Sequence, residues 1–550
     1  MGKYAIGIDF GTGSGRVIVM NVQTGEVVAT DVTEYRHGVI TDTLPNGAAI
    51  TKRETALQHP LDYIEVLETS IPASIQKANI EKEDIIGIGL DFTSCTILPV
   101  KEDFSPLCLD EKWESEPNAW LKLWKHHAAQ EQATKINELA KVRGESWLPR
   151  YGGIISSEWM LPKVLEVLEN SPEVYDATTF FVEAADWLTF QMTNSFKRNS
   201  CAAGFKGTWH EEEGYVSEDF LGALHPKLAS LYKTKLGGEV ASVGELAGRL
   251  TEEFAERVGL QAGIPVAMGI IDAHAGVPGA GVATPNKMVL VMGTSTCHML
   301  LSKEEKNVPG ISGVVKDSII PNYYAYEAGQ AAVGDIFAWF VKENVPAYIV
   351  EEANTRNISV HELLEEKATK LGPGANGLLA LDWHNGCRTP LVDAKLSSVF
   401  IGQTLATKPE EMYRALIEAT AFGTKLIIET FQKEGILIEE LIACGGLPQR
   451  NKLLMQIYAD VTGKPISVSA SDITPAIGSA MYGAVVAGSK NGGYDCIEDA
   501  CEKMVPPTQT IYTPNQVNVT KYEEIFAYYK QMVHFFGVEQ KEMMEYLKQL

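Results

Sequence analysis

Tyr4-Ala5-Ile6-Gly7-Ile8-Asp9-Phe10-Gly11-Thr12-Gly13-Ser14-Gly15-Arg16-Val17-Ile18-Val19-Met20 is the stretch on which the reading of this chain turns. Residues 4–8 and 17–20 are apolar runs of strand length. Asp9 stands at the end of the first, followed by Gly11, Gly13 and Gly15 with Thr12 and Ser14 among them. Glycines this dense between two strands make a hairpin whose bare N–H groups can line a concavity for an anion. Asp9 beside such a concavity offers a hard oxygen ligand to a hydrated Mg²⁺. A tight β-turn with a capping Asp accounts equally well for this stretch taken alone. No helix follows and no Gly-Lys-Ser/Thr is present, so it is neither a P-loop nor a dinucleotide fingerprint.

The 550 residues exceed what one core holds, and two or three domains are expected. Hydrophobic residues at 45% and charged ones at 21% suit a soluble globular protein. No apolar stretch reaches the length of a membrane span and no signal peptide opens the chain, so a cytoplasmic protein without a membrane partner is expected. The eight cysteines are scattered with no CxxC pair, which suits reduced thiols. A net charge of −24 argues against nucleic acid or anionic membrane as partner. A polyanion such as ATP must then be held locally, by backbone N–H groups, a metal and a few cations. The 11 histidines form no HExxH and no ligand cluster is expected, which speaks against metal-hydrolase chemistry.

Working outward, residues 26–35 read as a third strand and 37–51 as a loop. Leu61, Ile64, Leu67, Ile71 and Ile75 share one face of a helix over 61–77, which Pro72 should kink or interrupt. Residues 85–90 read as a buried strand that delivers Asp91-Phe92-Thr93-Ser94-Cys95-Thr96 at its C-terminal end, where open α/β sheets present ligands. Plain strand-end hydrogen bonding is the alternative. Residues 118–140 read as one long amphipathic helix, and 158–170 as another that stops before Pro172. Lys206 lies in a stretch of small residues and aromatics that reads as irregular. It is either a snorkelling surface residue or a point charge for a phosphate or a polarised carbonyl. Residues 263–272 read as one strand running into small residues, which puts Asp272 at a helix start, facing a cleft or serving as an N-cap. His274 reads as a packing residue.

The opening pattern then recurs: an apolar run at 288–292, the turn Gly293-Thr294-Ser295-Thr296, and a returning run at 297–301. Two such units point to an internal duplication with a nucleotide between halves 1–280 and 281–550, the boundary falling within 277–286. Residues 410–433 read as a long helix. Residues 441–446 form a strand that ends in Gly445-Gly446 ahead of a helix over 452–462. A flat ring can lie against that bare backbone, and an ordinary strand-to-helix turn is the alternative. The charged helical segment 519–550 offers either a homodimer contact or a solvated face.

Together these segments resemble the FGGY family of carbohydrate kinases over nearly the whole length and in family order. Residues 9–14 are similar to its first phosphate motif, Gly293-Thr294-Ser295 to the second and Gly445-Gly446 to the adenosine motif. Asp272 stands where the family has its catalytic base. The resemblance implies an α/β, two-domain actin/hexokinase-like (ribonuclease H-like) ATPase fold with an interdomain cleft. Sugar and base would belong to the N-terminal half and ATP to the C-terminal half. It implies ATP and Mg²⁺ as cofactors, with Asp9 at the metal and Gly11, Thr12, Gly13, Gly293, Thr294, Ser295, Gly446, Arg450 and Asn451 at the nucleotide.

Within the family, residues 91–96, the segment Glu327-Ala328-Gly329-Gln330 with Val333-Gly334-Asp335, and Asp382-Trp383 with Asn385-Gly386 look most like the ribulokinase branch. That likeness implies Ser94, Lys206, Asp272 and Glu327 around a small-molecule ketopentose, with L-ribulose foremost, phosphorylated on its terminal hydroxyl as in arabinose catabolism. The Arg-Glu pair with which glycerol kinases grip a polyol is replaced by small residues. Segment 447–451 is longer than in many members. One rival is a kinase of the same family for D-ribulose, xylulose or glycerol. Another is an actin- or Hsp70-like ATPase without a small acceptor, which explains both phosphate turns but not Lys206, Glu327 and residues 91–96.

Overall fold

The computed structural model describes residues 2–506 and 510–549. The opening hairpin forms where glycines interrupt two apolar runs: β1 (Tyr4–Phe10) and β2 (Ser14–Asn21) pair antiparallel, with Asp9 opposite Arg16. β3 (Val27–Glu34) extends this meander. β4 (Ile85–Phe92), buried along its whole length, joins β1 in parallel and sets Asp91 beside Asp9. β5 (Leu246–Arg249), β6 (Pro265–Ala267) and β7 (Ile270–Ile271) complete the sheet in the order β5-β6-β4-β1-β2-β3, with β7 pairing the end of β4.

The same plan is laid down again with β8 (Lys287–Met292), β9 (Thr296–Ser302), β10 (Gly313–Lys316), β11 (Tyr324–Gln330), β12 (Glu440–Cys444), β13 (Ile466–Val468) and β14 (Thr510–Tyr512). Their order is β10-β11-β9-β8-β12-β13-β14. Each sheet is an antiparallel meander (β3-β2-β1 or β11-β9-β8) followed by two parallel strands and an antiparallel edge.

Five helices set the layering: α1 (Pro60–Ala78), α2 (Ser200–Gly207), α3 (Asp272–Gly279), α4 (Pro409–Lys433) and α5 (Thr474–Ala487). α1 covers the outer face of the first sheet and α4 that of the second. α3 and α5 lie between the sheets, in one apolar cluster that mixes Ala5, Ile18 and Ala275 with Val289, Met299, Ile442, Ala476 and Ala480. A region between β4 and β5 carries its own core around Trp147, Tyr151, Trp159 and Phe220.

Contact around α5 is backbone on backbone. A Cβ on Gly7, Gly87 or Gly89 would run into the carbonyl oxygen of Ala476, Gly483 or Ser479. Between α3 and α5, a Cβ on Gly279 would meet Thr474 O and one on Gly478 would meet Ala275 O.

Packing overrides several local expectations. Of the segment expected as one helix over 118–140, α-helix starts only at Gln130 and runs to Arg143, after a short 3-10 turn at Pro117–Ala119, while Leu121–Lys122 forms a strand against Leu57–Gln58. The reason is burial on all sides: Leu121 and Leu123 are inside, and Lys122 between them is buried 3.0 Å from Glu166. α1 runs through Pro72 as one helix because Leu67, Ile71 and Ser74 are all pinned in the core. Lys206 sits in regular helix, capped where Asn199 accepts from Ala202 N at 2.7 Å. The strand expected over 263–272 breaks into β6 and β7 around Gly269, where a Cβ would crowd Ala185.

Gly89→Ala is expected to destabilise the protein by about 1–3 kcal/mol, read as a lowered denaturation midpoint. Gly372→Ala, at a position with open space around it, should leave the midpoint unchanged.

Candidate functional site

The ends of β1 and β4 place two carboxyl groups side by side. Asp9 accepts from Arg16 Nη1 at 3.4 Å. Asp91 is fully buried and accepts at 2.7 Å from Ser479 Oγ, which reaches it from α5. Burial, then the Asp9 charge, pushes Asp91 well above the usual carboxylate range, and burial raises Asp9 in spite of the Arg16 charge. One buried Asp91 oxygen has no partner. Hard carboxylate oxygens at a strand end fit Mg²⁺, with Asp9 the more open of the two.

Distant residues shape the 11–13 turn. Tyr35 OH donates to Gly11 O at 2.9 Å, Gln58 Nε2 to Thr12 O at 2.7 Å, and Trp124 Nε1 to Thr12 Oγ1 at 3.1 Å. Across the cleft, Gly293 N donates to Ser295 O at 2.9 Å, and Val333 N to Thr294 O at 2.9 Å. Gly13, Gly293 and Thr294 are exposed, and a Cβ at Gly13, Gly293 or Gly446 would point into open space. These bare faces suit phosphates and a flat ring. Gly445 holds φ at 97° with its Cα against Met292 O, a placement that excludes a side chain. Segment 447–451 closes into a helical turn, Gly446–Arg450, with Arg450 exposed. Asn451 is engaged elsewhere, because its Oδ1 caps the next helix by accepting from Leu454 N at 2.8 Å.

Residues of both halves meet around a buried ion pair. Lys206, 5% exposed, donates to Glu327 on β11 at 2.9 and 2.7 Å. Burial acts against both charges, yet Glu327 holds Lys206 above its ordinary value and Lys206 holds Glu327 below it. Asp272 opens α3, accepting from its neighbour Ala273 N at 2.7 Å. Burial, helped by the charges of Asp9 and Glu327, pushes Asp272 up to about 7. Ser94 is half-buried in a turn where Cys95 takes a positive φ of 54°. The buried Lys163 donates to Cys95 O at 2.6 Å and to Leu123 O at 2.8 Å, and Glu183 accepts from Thr96 N at 3.0 Å. His274 packs 4.6 Å from the Phe205 ring as expected, and burial lowers it to about 4.

Lys206, Asp272 and Glu327 thus belong to one region, with a carboxylate able to take a proton near neutrality among them, and Ser94 stands next to Cys95, whose thiol feels the Lys206 charge. Sequence reasoning missed Trp124, Gln58, Lys163 and Ser479, which reach these turns and strand ends from far along the chain. It also expected no histidine cluster, whereas His37, His59 and Asp62 bring ligating atoms within 4.8 Å of one another. Those groups satisfy each other: His37 Nδ1 lies 2.7 Å from Asp62, the two imidazoles stack at 4.2 Å, and His59 Nδ1 accepts from Leu61 N. Among the described residues all eight cysteines are unpaired, and no helix is long and apolar enough to cross a membrane.

Models of the FGGY family of carbohydrate kinases match both halves, the N-terminal domain over residues 4–279 and the C-terminal domain over 288–487. The chain is 53% identical over 548 residues to a ribulokinase of Halalkalibacterium halodurans, covering 100% of this chain and 97% of the relative. It is 42% identical over 548 residues to a ribulokinase of Staphylococcus aureus (strain Newman), covering 100% and 99%. The crystal structure of xylulose kinase from Rhodospirillum rubrum matches with a TM-score of 0.81 at 21% identity, over 97% of this chain and 99% of that one. Plasmodium falciparum glycerol kinase with ADP matches with a TM-score of 0.77 at 16% identity, over 97% and 98%. At such identities the likeness concerns the fold, which is the two-domain actin/hexokinase-like α/β architecture. Matched by one family's models in both halves and by its relatives from end to end, the chain belongs to the FGGY family of carbohydrate kinases and is a phosphotransferase acting on a sugar with ATP.

Proposed function

We propose that the chain transfers the γ-phosphoryl group of ATP to the terminal hydroxyl of L-ribulose, giving L-ribulose 5-phosphate as in arabinose catabolism. The observation that carries this reading is identity of about half, along the entire chain, to proteins named ribulokinase. The buried Lys206–Glu327 pair beside Asp272 supports it, since a ketose presents both donors and acceptors. The reading divides the chain near residue 280 into a half with the base and most sugar contacts and a half with the adenosine contacts, Glu327 and the 11–13 turn each serving the other's ligand, and places the enzyme in the cytoplasm.

In this mechanism Asp272 accepts the proton of the terminal hydroxyl as that oxygen attacks the γ-phosphorus. The alcohol becomes acidic only as the new bond forms, so a carboxylate at hydrogen-bond range suffices. Lys206, Glu327 and Ser94 orient the ketose. Gly11 N and Gly293 N donate to Ser14 O and Ser295 O within their turns, so the N–H groups of Thr12, Gly13, Thr294 and Ser295 hold the phosphates, with Thr12 and Thr294 adding hydroxyls, and Gly446 and Arg450 bound the adenosine. Asp9 would hold Mg²⁺, which when bound neutralises phosphate charge. Closure of the two halves excludes water that would otherwise compete with the sugar as acceptor.

ADP release should depend on L-ribulose and be low with glycerol. Equal release without any sugar would overturn the reading, and faster release with D-xylulose or D-ribulose would reassign the acceptor. Asp272→Asn should lower kcat by about 10²–10⁴ with sugar binding retained. Because the active form of Asp272 is the carboxylate and its pKa lies at about 7, kcat/KM should fall as pH drops through 7. That acidic limb should vanish in the variant. Lys206→Met leaves Glu327 buried without its cation, and should raise the sugar KM about 10–100-fold while the ATP KM holds.

A further inference from the structure

We propose that Arg388 is a catalytic residue of this site, its guanidinium donating to the non-bridging oxygens of the phosphoryl group in transit. The inference rests on the kinase reading above and adds to it the cation that the transfer needs.

Arg388 stands in the loop that follows Asp382. The loop is closed by the reciprocal Cys387–Asp393 backbone bonds of 2.9 and 2.8 Å, and docked on β11 where Gly329 N donates to Thr389 Oγ1 at 3.3 Å. The Arg388 side chain lies across Gly329, since a Cβ there would sit 3.4 Å from its Cδ and 3.6 Å from its Nη1. Gly329 pairs with Cys297, which is two residues past Ser295 of the second phosphate turn, and Gly329 is itself two residues past Glu327. The guanidinium is therefore carried between the phosphate turn and the sugar-facing carboxylate. The charges around Cys297 agree: its thiol, pushed up to about 12 mainly by burial, feels Glu327, Arg388, Asp272 and Lys206 together.

Three other cations here are engaged. Lys206 is bonded to Glu327, Arg16 to Asp9, and Lys163 to backbone carbonyls. Structural arginines elsewhere are satisfied as well: Arg198 donates to Gly237 O and Phe181 O, and Arg414 to Glu418 and Tyr522. Arg388, half-buried, has no hydrogen-bond or ion-pair partner for its guanidinium among the described residues. A guanidinium left without acceptors at the wall of a cleft is poised for an anion that arrives with substrate.

During transfer the sugar's terminal oxygen bonds to the γ-phosphorus. The bond from that phosphorus to the β–γ bridging oxygen breaks with its electron pair going to ADP, and the hydroxyl proton passes to Asp272. Charge on the three equatorial oxygens has to be met at that moment, and a planar fork meets two of them at once. Arg388 exchanges no proton.

Arg388→Ala, Arg388→Gln and Arg388→Lys are compared with the unsubstituted enzyme, using Mg·ATP and L-ribulose, alongside thermal melting. For the Ala and Gln variants kcat should fall about 10³-fold or more, with each KM within about 3-fold and the melting temperature held. Arg388→Lys should stay well below the unsubstituted rate, because an ammonium cannot reproduce the fork. Added guanidinium ion at millimolar concentration should restore part of the turnover of Arg388→Ala. A kcat that survives with a raised sugar KM would make Arg388 a sugar ligand and overturn the proposal. Unchanged kinetics, loss of rate only in variants that no longer melt cooperatively, or no restoration by guanidinium would overturn it too. Failure of the unsubstituted enzyme to require a ketopentose would instead sink the kinase reading, independently of the variant ratios.

Discussion

The bare contact of α5 with β1, β4 and α3 is the constraint on which the rest depends. Gly7, Gly87, Gly89, Gly279 and Gly478 let backbones approach where any side chain would hold them apart. Protein interiors tolerate little misfit, so this contact fixes the position of α5 on the first sheet. Three consequences reach the site. The ends of β1 and β4 are held level, which pairs Asp9 with Asp91. Ser479 is delivered to Asp91. α3 is held so that Asp272 opens beside them. A helix that gives one hydroxyl to Asp91 thus places three carboxyl groups.

Electrostatically the site solves a problem that the whole chain creates. In the proposed mechanism a protein of net charge −24 admits a polyanion beside Asp9, Asp272 and Glu327. Bare N–H groups on two turns supply positive ends without adding cations. Pairing Lys206 with Glu327 leaves that pair neutral while keeping a donor and two acceptors in place. Burying such a pair is expensive unless its bonds are complete, and here both carboxylate oxygens receive one. Burial together with nearby acids lifts Asp272 to about 7, where a carboxylate changes state near the working pH.

Features with a local cause were legible in the sequence. Glycines between apolar runs gave away the turns at 11–13 and 293–295, and a carboxylate closing an apolar run gave away the placement of Asp9, Asp91 and Asp272 at strand ends. Lys206 and Glu327 were named through family resemblance, since nothing local separates a pocket lysine from a snorkelling one. What stayed hidden depends on contacts distant in sequence. The segment 474–487 is small and apolar on nearly every side, so it shows no amphipathic face to announce a layer between two sheets. Trp124 falls in a stretch whose pattern mimics a helix, and only the folded chain carries it to Thr12. Arg388 sits in an irregular loop where no periodicity applies.

The placement of α5 also bears on how the polypeptide is made. The first sheet is assembled from residues 4 to 271, yet its inner face is roofed by residues 474 to 487. A ribosome that has completed the N-terminal half has therefore released a sheet with one apolar side uncovered, and almost two hundred residues remain to be translated before its roof emerges. Domain-by-domain folding during synthesis is unavailable to this topology in its simple form. The nascent chain has to be shielded until Ala487 has left the exit tunnel, which makes premature termination in the second half a lesion of the first.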